Sequence, residues 1–189
     1  ENIAGTTNLN LNLEGKLNDN FEILPASIFA NVHLDISNGK LTNYNTLQSI
    51  SDYFKTNMVL KKVFHADDLS ERLKDVSFDR LENEFFVRNS ALFIPKVQLK
   101  SSVLNVNVSG KHSFNDSIDY KVDFDISDLL IKDRNFETEN GEVVDDGTGR
   151  YRVFMLVKGT TGNLEIEIDK SAKKAFKKHQ RNKEGKEFK

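Results

Sequence analysis

The stretch that most constrains this chain is "SSVLNVNVSGKHSFNDSIDYKVDFDIS", Ser101 to Ser127, which keeps one parity for nearly its whole length. Leu104, Val106, Val108, Phe114, Ile118, Tyr120, Val122, Phe124 and Ile126 are all even-numbered. Asn105, Asn107, Ser109, Asp119, Lys121, Asp123 and Asp125 take the odd positions. Successive side chains of a strand point to opposite faces, so the stretch is a two-stranded ribbon with one apolar face and one wet face. Asn115-Asp116-Ser117 supplies its turn. A strand from Val103 to Phe114 would be ~40 Å long at about 3.3 Å per residue, longer than an ordinary strand of roughly 5 to 6 residues.

The same period of two runs through most of the chain. "NLNLNLEGKL" sets Leu9, Leu11, Leu13 and Leu17 against Asn8, Asn10, Asn12, Glu14 and Lys16, the pattern of a half-buried strand. "SIFANVHLDISNGKL" repeats it with Ile28, Ala30, Val32, Leu34 and Ile36 inward, and Asn38-Gly39 is expected to end that strand in a tight turn. From Asn43 the period changes: Leu47, Ile50 and Phe54 fall at helical spacing, with Asn43 or Asn45 as cap. "HADDLSERLKD" predicts a second helix from Leu69 and Leu73, capped by Asp67 or Asp68. Two or three strands follow up to Gly110, with a turn at Asn89-Ser90 and a parity switch at Pro95, whose missing donor predicts a bulge or an edge. "KDRNFETENGEVVDDGTG" reads as a polar, acidic loop, and "RYRVFMLVKGT" and "NLEIEID" as two closing strands.

The fold class is therefore mainly β with minor α: an antiparallel sheet with one or two short helices packed on it. Residues 1–170 read as one β-rich domain. In 171–189 charge dominates and few residues are apolar, so a solvated helix or a disordered tail is expected. The chain's 189 residues suffice to build a real core. With 27 basic and 29 acidic residues the net charge is -2, which supplies no field to draw in nucleic acid or an anionic membrane. There is no cysteine, hence no disulfide framework and no thiolate metal site. No apolar run approaches the ~20 residues that span a bilayer. The chain opens at Glu1 without a methionine and reads as a piece of something longer, with any anchor or leader upstream.

Constellations that carry chemistry are missing. His33-x-Asp35 lies on a wet strand face and His65 lies with Asp67 and Asp68 near a helix start, but neither brings the three or four convergent ligands of a zinc or iron site. Asp119, Asp123 and Asp125 share a face with Lys121 and lack the cleft that would perturb a catalytic carboxylate. "DDGTG", Asp145 to Gly149, has the composition of a calcium loop without its ligand spacing or terminal glutamate. No phosphate-binding glycine loop and no G-x-S-x-G occur, and the four histidines have no nucleophile partner. Asn107 and Asn115 match the glycosylation sequon, which matters only in a eukaryotic secretory setting. The reading is of a protein that is not an enzyme and uses neither metal nor cofactor.

Three stretches carry a resemblance to a known family: "NGKLTNYNTLQSIS", "IPKVQLKSSVLNVNVSGKHSFNDSIDY", and "DDGTGR" followed by "VKGTTGNLEIEID". From Leu34 to Lys174 the chain resembles the C-terminal region of AsmA-family proteins, in the form found in Bacteroidetes. "VLKKVFHADDLSERLKD" is longer than the usual link, and "GTTGNLEIEID" lacks a proline that relatives often carry. AsmA-like proteins are similar to TamB and, more distantly, to chorein-type bridge-like lipid transfer proteins. The resemblance implies a long, curved antiparallel sheet with an apolar concave face, an N-terminal anchor in the inner membrane that lies outside this chain, and a periplasmic location. It implies a role in phospholipid transport between inner and outer membranes and in outer-membrane homeostasis. The partners would be phospholipid acyl chains and other envelope proteins, and not nucleic acid.

On that reading the strip Leu104, Val106, Val108, Phe114, Ile118, Tyr120, Val122, Phe124 and Ile126 is the lipid-binding surface. The alternative is a structural or protein-interaction module with a closed core, because an apolar sheet face is usually covered and the helix bearing Leu47, Ile50 and Phe54 is an available lid. About eight expected strands against one good helix leave more apolar face than lid, which favours a groove.

Overall fold

The structure is a computed structural model that describes residues 2–58, 60–63, 66–127, 143–145 and 150–187. Among these residues nine strands form one open antiparallel sheet, β1(Asn2–Glu14), β2(Phe29–Thr42), β3(Asp75–Arg88), β4(Ala91–Lys100), β5(Asn105–Ser113), β6(Ser117–Asp125), β7(Val143–Asp145), β8(Tyr151–Thr160) and β9(Asn163–Ile168). Their order is β1-β2-β3-β4-β5-β6-β8-β7, with β9 also pairing β8. Four α-helices accompany them, α1(Asn45–Thr56), the single turn α2(Leu60–Val63), α3(Ala66–Arg72) and the terminal α4(Lys170–Glu187), with a 3-10 turn at Pro25–Ser27. The mainly β, antiparallel class expected from the alternation is the class observed.

The opening ribbon is β5 and β6. Val106 stands opposite Phe124 and Val108 opposite Val122, so the even residues of both strands share one face. The turn between them places Asp116 at φ 69°, and both residues of the Asn89-Ser90 turn are left-handed, at 51° and 54°. Two consecutive left-handed residues give a type I′ hairpin, whose twist matches that of its strands. Pro95 also acts as its chemistry dictates. Ile94 pairs with Gly110 but Val97 pairs with Val108, so Pro95 and Lys96 together oppose Ser109 in a bulge.

Asn38-Gly39 departs from expectation. Asn38 is left-handed, at φ 50°, yet β2 continues to Thr42. Ala4 pairs with Lys40 and Thr6 with Ser37, so Asn38 and Gly39 bulge opposite Gly5 within the strand. Asparagine tolerates this backbone equally in a turn or a bulge, and only the edge partner β1 decides between them. β7 is a second departure: three residues of the expected acidic loop, Val143–Asp145, pair with Tyr151–Val153. The rest of that loop lies outside the described residues.

α1 and α3 lie on the apolar face. Phe54 is fully enclosed, Ile50, Leu69 and Leu73 are buried, and Leu47 packs at the margin. Each such side chain contributes roughly 1.5–3 kcal/mol by leaving water. The N-cap of α1 is Tyr44, which makes no side-chain cap, rather than Asn43 or Asn45. On the opposite face α4 starts from Asp169, whose Oδ1 accepts from Ala172 N–H at 2.9 Å. Phe176 then meets Phe154 with ring centroids 5.2 Å apart. The tail expected to be solvated is thus helical and docked through one aromatic.

The sheet carries a seam. β3 and β4 pair only through Phe86–Arg88 with Ala91–Phe93, then part. They are tied again at the far end, where Ser102 N–H donates to Ser77 O at 2.8 Å.

Candidate functional site

Register places one apolar face across the sheet. On β1 and β2, Leu9 is opposite Leu34, Leu11 opposite Val32 and Leu13 opposite Ala30. On β2 and β3, Leu34 meets Asn83, Val32 meets Phe85 and Ala30 meets Val87. Val87 continues to Leu92 and His112. Further along, Val97, Val108, Val122, Met155 and Ile168 form a row across β4, β5, β6, β8 and β9.

The helices cover only part of this face. Phe54, Leu60, Leu69 and Leu73 join Val122, Phe124, Val153, Met155 and Val157 in one core cluster. The residues expected to line a groove belong mostly to it. Leu104, Ile118, Val122, Phe124 and Ile126 are buried, and Val106, Val108 and Tyr120 are half-buried against the cluster. Phe114 stands apart, half exposed on the β5–β6 turn. Phe124 and Ile126 have no surface to offer a ligand while α1 is seated.

Across the seam, among the described residues, no helix covers Leu9, Leu11 and Leu13. Leu9, Leu11 and Leu13 are 57%, 53% and 49% exposed, beside the half-buried Val32, Leu34, Ile36, Leu81 and Phe85. Asn83 interrupts this strip, and its Nδ2 is enclosed without a hydrogen-bond partner. The apolar positions run from Ala30 to Ile36 on β2 and from Leu81 to Val87 on β3, so the strip runs about 20 Å at ~3.3 Å per residue. The alternation of Leu9 to Leu13 was legible as a strand. Their lack of a lid was not, because it depends on α1 settling over β6 and β8 rather than over β2.

The reverse face is polar and paired. Arg80 donates from Nε and Nη2 to Asp35 at 2.9 Å each, which holds that carboxyl below its usual range. His33 lies 2.8 Å from Glu84 and 3.7 Å from Glu82. Asn107 Nδ2 donates to Asp123 at 2.8 Å, and Arg152 pairs with the same carboxylate. Asp125 accepts from Ser127 N–H and Oγ at 3.0 and 2.6 Å and has Arg150 at 3.6 Å. Asp119 is exposed between Lys111 and Lys158, its register partners. Asp35 and Asp123 serve in cross-strand ion pairs. Among the described residues no three acidic or histidine groups converge to hold a metal ion. His65 of the expected Asp67–Asp68 cluster, and Asp146 to Gly149 of "DDGTG", lie outside the described residues.

No family model, no curated protein and no solved structure matches the chain.

Proposed function

We propose that the chain is a non-enzymatic domain of an AsmA-like envelope protein and that it holds phospholipid acyl chains on the uncovered half of its sheet. The observation that carries this is the row Leu9, Leu11 and Leu13, half exposed and continuous through Val32 and Leu34 to Phe85. Contiguous apolar surface beyond a few hundred Å² is rare on a soluble monomer and marks an interaction site. Each methylene laid on such a surface gains about 0.8 kcal/mol. One leaflet's hydrocarbon is about 15 Å deep, half of a ~30 Å bilayer core, so a strip of about 20 Å accommodates the length of one acyl chain. Passage along the strip then requires no pocket closed around a single molecule. In this reading the domain works in the periplasm, attached to the inner membrane by a segment outside this chain, and it serves phospholipid traffic and outer-membrane homeostasis.

A second reading rests on a different observation, the sealing of Phe124 and Ile126 beneath α1. A closed core over β5 to β9 fits a structural or protein-interaction module in an envelope assembly with no lipid passage. Native mass spectrometry of the chain purified with phosphatidylethanolamine separates the two. Lipid retained by the wild type and lost in Leu11→Asp supports the acyl-chain reading. A chain that emerges lipid-free, or that retains lipid equally well as Leu11→Asp, sinks it.

A further inference from the structure

One end of the sheet displays apolar side chains on both of its faces. The β1–β2 connection, the Asn89-Ser90 turn and the β5–β6 turn all lie there, since Glu14 pairs with Phe29, Arg88 with Ala91 and Ala91 with Ser113. Phe21 at the tip of the first connection is 84% exposed, and Leu17, Ile23 and Leu24 beside it, and Phe114 on the β5–β6 turn, are exposed as well. On the otherwise polar face, Phe29, Phe86 and Phe93 line a cleft of ≈ 570 Å³ at this same end, with Arg88 seated 4.6 Å above the Phe93 ring. The opposite face delivers the open strip here, through Leu13.

The rim is braced rather than loose. Asn18 Oδ1 accepts from the N–H groups of Asn20 and Glu22 at 2.9 Å, its Nδ2 donates to Glu22 at 2.8 Å, and Leu17 bridges to Ile23. That frame holds Phe21 at φ 61°, a backbone which a phenylalanine adopts only where its surroundings impose it. Ser27 Oγ accepts from Lys16 N–H at 2.7 Å and donates to Leu24 O at 2.8 Å, closing the base of the connection. At the neighbouring turn Asp116 accepts from Thr161 N–H at 3.3 Å and from its hydroxyl, joining the β5–β6 and β8–β9 turns. The aromatics are therefore displayed by a fixed edge.

We propose that this rim seats on a zwitterionic lipid bilayer, with Phe21 below the headgroups and Phe114 beside it. The proposal deepens the acyl-chain reading, on which its purpose rests: the strip would open where the bilayer begins. Separate turns projecting along the strand direction form a ridge with apolar residues on both sheet faces, which suits a planar lipid surface better than a one-sided protein patch. Charge selects the lipid class. Lys16, Arg88 and Lys111 stand among Glu14, Asp19 and Glu22, so no sign dominates and anionic headgroups gain little.

The chain contains no tryptophan, so Phe21→Trp installs a single reporter and Met58→Trp, at an exposed site near α1, its control. With phosphatidylcholine vesicles, Phe21→Trp emission should shift to the blue and lose most of its intensity when the acyl chains are brominated. Met58→Trp should do neither, and added salt should leave the shift in place. An unmoved Phe21→Trp spectrum overturns the proposal. So does a blue shift that needs protein concentration and no vesicles, which marks self-association, or an equal response from Met58→Trp, which marks general adsorption. Retained lipid with no bromine quenching overturns the docking alone, whereas quenching by a chain that retains no lipid leaves docking standing and removes the acyl-chain reading.

Discussion

Phe54 of α1 and Phe124 of β6 meet with ring centroids 5.6 Å apart and planes inclined by 37°, and neither has more than 1% of its surface exposed. This contact decides which half of the apolar face is a core. Truncating a buried phenylalanine loses both its transfer free energy and the contacts around the cavity left behind. Phe54→Ala should therefore lower the unfolding free energy by about 3–5 kcal/mol. Urea unfolding followed by circular dichroism measures it, and an unchanged midpoint would mean that α1 is not seated on β6.

Some of this was legible in the residues. Parity alone places Val106, Val108, Val122 and Phe124 on one face, and helical spacing alone picks out Leu47, Ile50 and Phe54, of which α1 buries Ile50 and Phe54 together with Ser51 and leaves Leu47 at the margin. What alternation cannot tell is which apolar face a helix will choose. Leu11 and Val122 have the same local pattern, and their different fates follow from the path of the chain after Thr42, a long-range property. Asn38 failed for a related reason. Its left-handed backbone was readable, but the bulge opposite Gly5 exists only because β1 pairs there. Phe176 carried too little local signal to announce that it docks on Phe154.

Gly39 makes room for an aromatic ring. A Cβ there would overlap the Phe78 ring, which covers the glycine from the paired position on β3. Gly39→Ala should destabilise by roughly 1–3 kcal/mol, as overpacking of a fixed interior does. Phe78→Ala should remove most of that increment, so that a double-mutant cycle in thermal unfolding shows a strong coupling. Additive effects would place the ring elsewhere.

Asp116 predicts an acid-sensitive rim. Its carboxyl is held below the ordinary value first by the Thr161 hydroxyl that donates to it, and also by His112 at 3.4 Å. Burial pushes the Tyr120 phenol up to about 12, and its hydroxyl lies 3.2 Å from His112 Nδ1 on the far side of that ring. A carboxylate lowered on folding favours the folded rim above its unfolded pKa of about 3.9, and that support is lost as pH falls through the lower folded value. The Thr161 amide resonance should accordingly titrate with a midpoint below about 3.9. In Asp116→Asn that titration should vanish. A midpoint at or above the ordinary value contradicts the bond.

Removing the single aromatic under α4 should release the helix and spare the sheet. Phe176→Ala should speed amide exchange from Ala172 to Gln180 while β8 stays protected, because among the described residues the ring's aromatic contact is Phe154 and the helix carries mostly charge. Loss of protection in β8 as well would show that α4 is part of the main cooperative unit.

The sharpest contrast pits two aspartates against each other on the same apolar face. Val122 is 5% exposed and stands between Val108 and Met155 in register, beneath Phe54's helix. An aspartate there is a buried charge with no cation on its face, and desolvating it costs several kcal/mol, a large fraction of the roughly 5–15 kcal/mol that holds a domain together. Leu11 lies on the same face across the seam, half exposed, where a carboxylate keeps its water and should cost under about 1 kcal/mol. Val122→Asp should therefore unfold or melt far below the wild type, while Leu11→Asp keeps nearly the same melting temperature. Because both replace one apolar side chain by the same charge, the difference between them measures the lid and nothing else. Equal melting temperatures near that of the wild type would mean that α1 leaves β6 in solution, and equal ones far below it that something covers β1.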